Sequence, residues 1–237
     1  DSFFSYDAFQ IFIDNRDWPG NNIKFWRDER PGGKWRWILY DTDFGFGIWD
    51  GNAFSFNTLN FALEENGPNW PNPPWSTLIF RKIIANNYFK DRFISIYCDL
   101  LNTTFKTDNV TNHLDSIRVD IEDIIPRHRT RWYNDGWWPN SVTNWDSRMN
   151  NIYFFIQQRP IYARSHLRNQ FGLESIIELT TNILPENSGY LHLNSLKIIE
   201  NQWTGLYFPN IISEVEAISN PGFEFSHWEE YPDSGST

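Results

Sequence analysis

The hydrophobic residues at the start of the chain recur every three to four positions, which is the spacing of one face of a helix. Ser2 or Asp1 can cap the beginning of this helix. Residues 14–22 are crowded with Asn, Asp, Pro and Gly, so we predict that a loop ends it there. The apolar face consists of Phe4, Ala8, Ile11 and Phe12, widened by Phe3, Tyr6 and Phe9.

Two short segments after this loop have the pattern of strands. Residues 23–27 and 35–40 are rich in aromatic and branched side chains, and a Pro-Gly-Gly turn at residues 31–33 separates them. We therefore predict a β-hairpin. An irregular stretch rich in Asn, Pro and Trp follows it up to about Pro74, which predicts a long loop that is functional or wrapped over the core.

Helical spacing returns in the middle of the chain. The first helix there should begin at a Ser76 cap and continue, after a break at residues 86–87, to Leu101. A second helix is predicted over residues 110–133. Its apolar positions keep the helical spacing across Pro126, so we expect a kink at that proline.

The third predicted helix covers residues 142–171, with a kink or break at Pro160 and a C-cap at Gly172. Beyond it, apolar residues alternate in short runs separated by Gly, Pro and Asn, which is typical of strands. We therefore predict a mainly helical domain over residues 1–173 and a small β-rich appendage over residues 174–237. The predicted fold class is α+β.

The composition excludes several classes of protein. Aromatic residues make up 18% of the chain, with 13 Trp, which is too much apolar surface for a disordered protein. The formal net charge of -10 argues against binding to nucleic acid. No apolar run is long enough to span a membrane. Because the chain has a single cysteine, Cys98, it can form neither an intramolecular disulfide nor a cysteine metal cluster.

Acidic and amide side chains around the hairpin have the spacing of a phosphotransfer site. Protein kinases carry His-Arg-Asp-x-x-x-x-Asn on one loop, and Asp-Phe-Gly after a later strand, to orient the attacking hydroxyl and hold Mg²⁺. Here an Arg-Asp pair ends at Asp17, and Asn22 follows at the same spacing. An Asp-x-Asp-Phe-Gly segment then carries Asp41 and Asp43. Taken singly, these fragments could instead form a turn or hold a structural Ca²⁺.

The hairpin should bring these residues to one corner. If it is centred on residues 31 and 32, Asn22 and Asp41 lie opposite each other at its open end, with Cβ atoms ~5 Å apart. Asp17 would reach the same corner from the preceding loop. Mg²⁺ prefers a few carboxylate or amide oxygens together with water and phosphate, which is what this corner would provide.

The segment DNRDWPGNNIKFW at residues 14–26, followed by WILYDTDFGF at residues 37–46, resembles the CotH kinase family of spore-coat protein H-like proteins. The resemblance continues in order through three further segments, residues 91–105, 126–132 and 159–172. It therefore covers roughly residues 1–173. Residues 188–228 resemble, less specifically, the small β repeats that follow such domains in secreted bacterial proteins.

This resemblance implies an atypical protein-kinase fold, of which the chain carries the helical C-terminal lobe with the hairpin at the active site. It also implies phosphorylation that depends on ATP and on Mg²⁺ or Mn²⁺. Carried over residue by residue, Asp17 matches the catalytic aspartate and Asn22 the metal-binding asparagine. The metal aspartate is Asp41, which ends the strand and is favoured for that reason, or Asp43, which fits the Asp-Phe-Gly spelling.

The sequence also departs from the kinase pattern. A kinase needs an N-terminal lobe with a Gly-rich loop over the phosphates and a Lys–Glu ion pair. No Gly-x-Gly-x-x-Gly occurs in the chain, and Asp1 already begins a segment with core character. We therefore expect an incomplete portion of the enzyme, inactive alone, that needs a missing N-terminal lobe or adjacent domains.

Two functions from different classes remain open. The first is a kinase, secreted or on the bacterial cell surface, that acts on a surface or coat protein. The second is a non-catalytic surface scaffold that uses the kinase-like fold and the β appendage for binding. The intact Asp/Asn/Asp set favours the first, whereas the missing lobe and the aromatic loops favour the second. Fold alone does not decide between them.

Overall fold

The computed structural model describes residues 1–48, 50–65, 73–132, 142–211 and 213–230, and residues 142–144 as backbone only. The α-helices are α1 (Ser2–Phe12), α2 (Thr58–Leu63), α3 (Leu78–Ile84), α4 (Asn87–Asn102), α5 (Thr107–Ile121), α6 (Ile125–Arg131) and α7 (Val142–Phe171). The strands are β1 (Lys24–Arg27), β2 (Trp35–Ile38), β3 (Ile177–Asn182), β4 (Gly189–Leu193), β5 (Leu196–Ile198), β6 (Gln202–Tyr207) and β7 (Val215–Ser219). Single turns of 3₁₀ helix lie at Ala53–Ser55 and Glu122–Ile124. Helices followed by small antiparallel sheets confirm the α+β class.

The first helix lies at the centre of the helical layer, because its apolar face is buried as the spacing predicts. Ala8, Ile11 and Phe12 are at most 2% exposed. The ring of Phe12 stacks on Phe105, with centroids 4.2 Å apart. The α1 helix packs most extensively against α4, which supplies Phe93 and other fully buried side chains.

The start of α1 differs from the prediction. Asp1 occupies the N-cap position, but its carboxylate makes no cap hydrogen bond and instead accepts two bonds from Arg92, each 3.1 Å long. The Ser2 hydroxyl accepts from the backbone N–H of Trp37 at 3.2 Å. Both proposed capping side chains are therefore used to attach α1 to its neighbours, α4 and β2.

The predicted hairpin is present, but its register is not the predicted one. The antiparallel ladder ends at the pair Lys24 and Ile38. The two strands are shifted by one residue from the register that would place Asn22 opposite Asp41, so this predicted pair is wrong. The turn explains the difference, because Gly32 takes a left-handed φ of 82° and residues 28–34 all lie outside the strands.

Polar side chains set the boundaries of α3 and α4. The helix α3 follows Thr77 rather than the predicted Ser76 cap, because the Ser76 hydroxyl donates to the Pro73 carbonyl at 2.7 Å. The predicted break before α4 is confirmed. There the Asn86 side chain accepts from the backbone N–H of Tyr88 at 3.0 Å and caps the new helix.

Pro126 begins a helix rather than kinking one. The α5 helix ends at Ile121, and after a 3₁₀ turn α6 begins at Ile125 with Pro126 in its first turn. A proline is tolerated there because the N–H groups of a first turn have no helical acceptor. The predicted end of this segment at Tyr133 lies outside the described residues.

Pro160, by contrast, does not break its helix, and α7 continues through it to Phe171. A proline inside a helix leaves the carbonyl four residues earlier without its N–H donor. That carbonyl belongs to Ile156, and the Thr107 hydroxyl at the start of α5 lies 3.5 Å from it as a replacement donor. Gly172, with φ 64°, ends the helix as predicted.

A charged side chain lies inside the helical layer. Arg159 on α7 is 0% exposed. Its guanidinium donates to the carbonyl oxygens of Ile11 at 2.6 Å and Phe12 at 2.8 Å, where the negative end of the α1 dipole favours a cation. It also donates to the Phe56 carbonyl at 2.7 Å and to the Thr58 hydroxyl at 2.9 Å. This side chain therefore ties α7, the end of α1 and the start of α2 together.

The strands after α7 pack on α4 through a second buried charge. They form two antiparallel sheets, β3–β6 and β5–β4–β7. The Asp99 carboxylate of α4 accepts from the Tyr207 hydroxyl at 2.8 Å and from the Ser195 backbone and hydroxyl at 2.9 and 2.6 Å. Leu193 and Ile198 belong to the same apolar cluster as α1 and α4. Among the described helices, none has the length and apolar character to cross a membrane.

Replacement of Arg159 by Met should lower the free energy of unfolding by about 3 kcal/mol or more, because several buried oxygens lose their donor at once. The Arg159→Lys variant should recover little of this loss, since an ammonium cannot reproduce the fork of the guanidinium. Urea unfolding followed by circular dichroism measures both. The matched control is Arg168→Met on the exposed side of the same helix, where a change within about 0.5 kcal/mol is expected.

The Asp99→Asn variant should loosen the β segment, because the amide presents N–H groups to the Ser195 or Tyr207 donors. We expect a loss of about 2 kcal/mol in unfolding free energy. In the variant, amide hydrogen exchange should become faster in β4, β5 and β6, whereas exchange in α1 should change less. Unchanged exchange in these strands would contradict the assigned role of Asp99, and Asp120→Asn, exposed on α5, is the control.

Candidate functional site

The loop that follows α1 is anchored by a buried carboxylate. Asp14 has a left-handed φ of 57° and is 3% exposed. Its carboxylate accepts from the Thr58 hydroxyl at 2.6 Å and from Arg16 at 2.8 Å. Burial raises the pKa of the Asp14 carboxyl, and the hydrogen bonds from Arg16 and Thr58 act against this rise. Because Thr58 also accepts from Arg159, the loop is connected to the buried arginine.

Asn15 fixes the backbone at Asp17. Asn15 is 0% exposed, and its side-chain nitrogen donates to Gln10 Oε1 at 2.9 Å. Its side-chain oxygen accepts from the backbone N–H of Asp17 at 3.0 Å. The position that is His in the kinase motif is thus occupied here by an amide that joins α1 to the Asp17 backbone.

The Arg16 side chain connects the loop to the segment at residues 50–56. Its guanidinium binds the carboxylates of Asp14 and Asp50, the latter at 3.0 Å, and lies 3.8 Å from the centroid of the Phe56 ring. Arg16 therefore holds the loop against residues 50–56.

The structure brings Asp17 and Asn22 together. The partly buried Asp17 carboxylate accepts from the Asn22 side-chain nitrogen at 2.8 Å and from the Asn21 side-chain nitrogen at 3.0 Å. Asn22 adopts a left-handed φ of 54°, a conformation that asparagine tolerates better than most residues. Since its nitrogen binds Asp17, the amide oxygen of Asn22 is the atom that remains for a metal.

Asp41 and Asp43 form an acidic pair next to Asp17. The pKa of the Asp41 carboxyl is raised, first by a hydrogen bond with the Asp43 side chain and further by the charges of Asp43 and Asp17. Lys24 acts in the opposite direction, with its ammonium 3.3 Å from the centroid of the Tyr40 ring. The charges of Asp17 and Asp43 therefore both act on Asp41, although Asp41 is not paired with Asn22 in the ladder.

The segment after the acidic pair is held against the end of α1. The backbone N–H of Phe46 donates to the Ile13 carbonyl at 2.7 Å. A side chain at Gly45 would come within 3.0 Å of that same carbonyl, so only glycine fits there without a shift. This contact holds residues 45 and 46 against the end of α1, just before the Asp17 loop.

The donor set fits a hard cation. Mg²⁺ is commonly bound by one or two carboxylates, with water and phosphate oxygens completing an octahedron. Asp41, Asp43 and the Asn22 amide oxygen are ligands of this type. Among the described residues, no group of three His, Cys, Asp or Glu side chains could hold a metal.

Sequence reasoning assigned no role to Arg159, on which the site depends. A signal was present in the apolar face of α7, where Ile156, Ala163 and Leu167 are spaced by seven and then four residues. Arg159 lies on the same face, three residues after Ile156 and four before Ala163. An arginine within an apolar stripe predicts a buried cation with partners elsewhere in the fold.

Comparison with known proteins identifies the family. The family model described as CotH kinase protein matches residues 1–163. The chain belongs to the CotH kinase family. This match includes Asp17, Asn22, Asp41, Asp43 and the buried arginine, and it ends within α7. No curated protein and no solved structure matches the chain.

Replacement of Asp43 by Asn should lower the pKa of Asp41 towards its ordinary value, because the neighbouring negative charge is removed. Carboxyl ¹³C chemical shifts followed across a pH titration measure this change. The Asp28→Asn variant, at the turn of the hairpin, should leave the titration of Asp41 unchanged and serves as the control. An Asp41 pKa that is equally raised in both variants would contradict the pairing.

Proposed function

We propose that this CotH kinase-family chain carries the catalytic loop and the metal-binding segment of an ATP- and Mg²⁺-dependent protein kinase. The observation that carries the proposal is the 2.8 Å hydrogen bond from the Asn22 amide to the Asp17 carboxylate. It lies near Asp41, whose pKa is raised by the Asp43 side chain and by the charge of Asp17. Phosphoryl transfer depends on positioning and charge stabilisation more than on covalent participation of the protein. An acceptor carboxylate beside a cluster of oxygen ligands meets that need.

Asp17 is the proposed acceptor of the substrate proton. Its backbone is held by Asn15, and its carboxylate by the amides of Asn21 and Asn22. The hydroxyl proton of the substrate passes to Asp17 while the hydroxyl oxygen bonds to the γ-phosphorus. The bond from that phosphorus to the β,γ-bridging oxygen breaks, and ADP leaves.

Asp41, Asp43 and Asn22 are the proposed ligands of the metal. When bound by these residues, Mg²⁺ or Mn²⁺ would neutralise the charge that develops on the nucleotide phosphates. A raised pKa of Asp41 is consistent with this role, because a cation relieves the repulsion that makes ionisation of the pair unfavourable. We assign the main ligand to Asp41, which follows the end of β2.

The proposed substrate is a protein at the bacterial cell surface, in the secreted fraction or in a spore coat. This part of the proposal is supported by membership of the CotH kinase family, which points to a protein substrate.

The Asp17→Asn variant of the full-length protein should lose phosphotransfer by about 10²-fold or more, because the proton acceptor is removed. It should retain Mg²⁺-dependent ATP binding. The Asp41→Asn variant should lose both phosphotransfer and Mg²⁺-dependent ATP binding. Phosphotransfer is measured as the transfer of labelled phosphate to the protein itself or to a coat-protein extract. ATP binding is measured by calorimetry.

Asp28→Asn, at the hairpin turn, is the matched control and should preserve both properties. A folded full-length protein that binds ATP with neither Mg²⁺ nor Mn²⁺ would overturn the kinase proposal. The non-catalytic surface scaffold would then be the better assignment, with the Asp17 loop serving a structural role.

A further inference from the structure

The face of the hairpin that points away from α1 carries a lysine next to the acidic corner. Phe25 and Trp37 lie opposite each other in the ladder, and Trp37 contacts Phe3 of α1 with ring centroids 4.8 Å apart. Because side chains alternate between the two faces of a strand, Lys24 lies on the other face. It is paired there with Ile38, and both residues are exposed.

The Lys24 ammonium lies over an aromatic ring rather than on a carboxylate. Its Nζ atom is 3.3 Å from the centroid of the Tyr40 ring, and Tyr40 directly precedes Asp41. Within the described residues Nζ makes no ion pair and no hydrogen bond, although its charge opposes the rise in the pKa of Asp41. An ammonium over a ring is held electrostatically, so its N–H groups stay available for the oxygen atoms of a ligand.

The Asp17 loop has no other cation that could serve this purpose. No Lys or Arg stands between Asp17 and Asn22 in the sequence. Arg16, which precedes Asp17, is already bound to the carboxylates of Asp14 and Asp50. The cation that follows the loop, at the start of β1, has no such carboxylate partner among the described residues.

Lys24 is close enough to the proposed site to reach a bound phosphate. It follows Asn22 by two residues, so the two Cα atoms are at most ~7 Å apart in any backbone conformation. The Asn22 side chain donates to the Asp17 carboxylate at 2.8 Å. A phosphoryl group that is transferred at Asp17 must lie beside this hydrogen-bonded pair, within reach of a long and flexible lysine side chain.

The charge at the corner gives a further cation a purpose. Asp17, Asp41 and Asp43 add their negative charge to that of a nucleotide triphosphate, and one Mg²⁺ would neutralise only part of the sum. Lysine binds phosphate as a compact point charge. A cation aimed at the transferring phosphoryl group also stabilises the charge that develops during the reaction.

We propose that Lys24 binds the γ-phosphate of the nucleotide, with its ammonium held at the corner by the Tyr40 ring. This inference rests on the proposed kinase function and adds a residue from outside the two motifs that the sequence shares with kinases. Its role is to bind the substrate phosphate, since a lysine neither accepts the substrate proton nor holds the metal.

Calorimetric titration of the full-length protein with two nucleotides in the presence of Mg²⁺ tests this assignment without turnover. The nucleotides are ADP and an ATP analogue in which an imido group replaces the β,γ-bridging oxygen. The Lys24→Met variant should bind the analogue about ten-fold or more weakly than the wild type, because the γ-phosphate loses a cationic partner. Its affinity for ADP should change by less than about three-fold, since ADP lacks that phosphate. Equal losses for the two nucleotides would overturn the assignment to the γ-phosphate.

Lys34→Met is the matched control, because it removes the same side chain from an exposed position before the other end of the ladder. It should leave the affinity for the ATP analogue unchanged. Equal losses in Lys34→Met and Lys24→Met would mean that overall charge is responsible and that the inference is wrong. Both variants should melt at the wild-type temperature in circular dichroism, since both lysines are exposed.

This inference and the kinase proposal fail in different ways. If the wild type binds the ATP analogue and Lys24→Met binds it equally well, the inference is wrong and the kinase proposal stands. A wild-type protein that binds neither nucleotide would overturn both. The Asp17→Asn variant should bind the analogue normally, which separates the phosphate-binding role of Lys24 from the proton-accepting role of Asp17.

Discussion

The buried guanidinium of Arg159 is the interaction on which the rest of the structure depends. Removing a cation from water is unfavourable, and here backbone carbonyl oxygens compensate for it. Those carbonyls lie at the end of α1 and before α2, while Thr58 connects the same guanidinium to Asp14. The helical core and the Asp17 loop are therefore stabilised by one side chain, and a change at Arg159 should affect both.

The candidate site is built from backbone conformations that most residues avoid. Asp14, Asn22, Asp41 and Phe46 all have φ between 53° and 57°. A non-glycine residue in this region costs on the order of 1–3 kcal/mol unless its surroundings hold it there. Here hydrogen bonds supply that support, from Thr58 to Asp14, from Asn22 to Asp17 and from Phe46 to Ile13. Strain concentrated around one acidic corner is consistent with the proposed catalytic role.

Three aspartates are buried in the described part of the chain, and they show how differently one residue type is used. Asp14 and Asp99 are fully engaged by donors and hold a loop and a β segment in place. Asp7 faces an aromatic cavity with one oxygen unpaired. Burial raises the pKa of Asp7 well above its ordinary value, which favours the neutral carboxyl in these apolar surroundings.

The sequence by itself determined what depends on neighbouring positions: the buried face of α1, the hairpin, the break before α4 and the spacing that joins Asp17 to Asn22. Such features follow from local periodicity and turn chemistry. Only the tertiary structure decided the hairpin register, the use of Asp1 and Ser2 in contacts between elements, and the burial of Arg159. Pro126 and Pro160 show the difference: one begins a helix, and the other is tolerated inside one because Thr107 lies near the carbonyl it leaves free. The hydrogen bond from Arg159 to the Phe12 carbonyl joins residues that are 147 positions apart. Their pairing therefore depends on packing that no local pattern encodes.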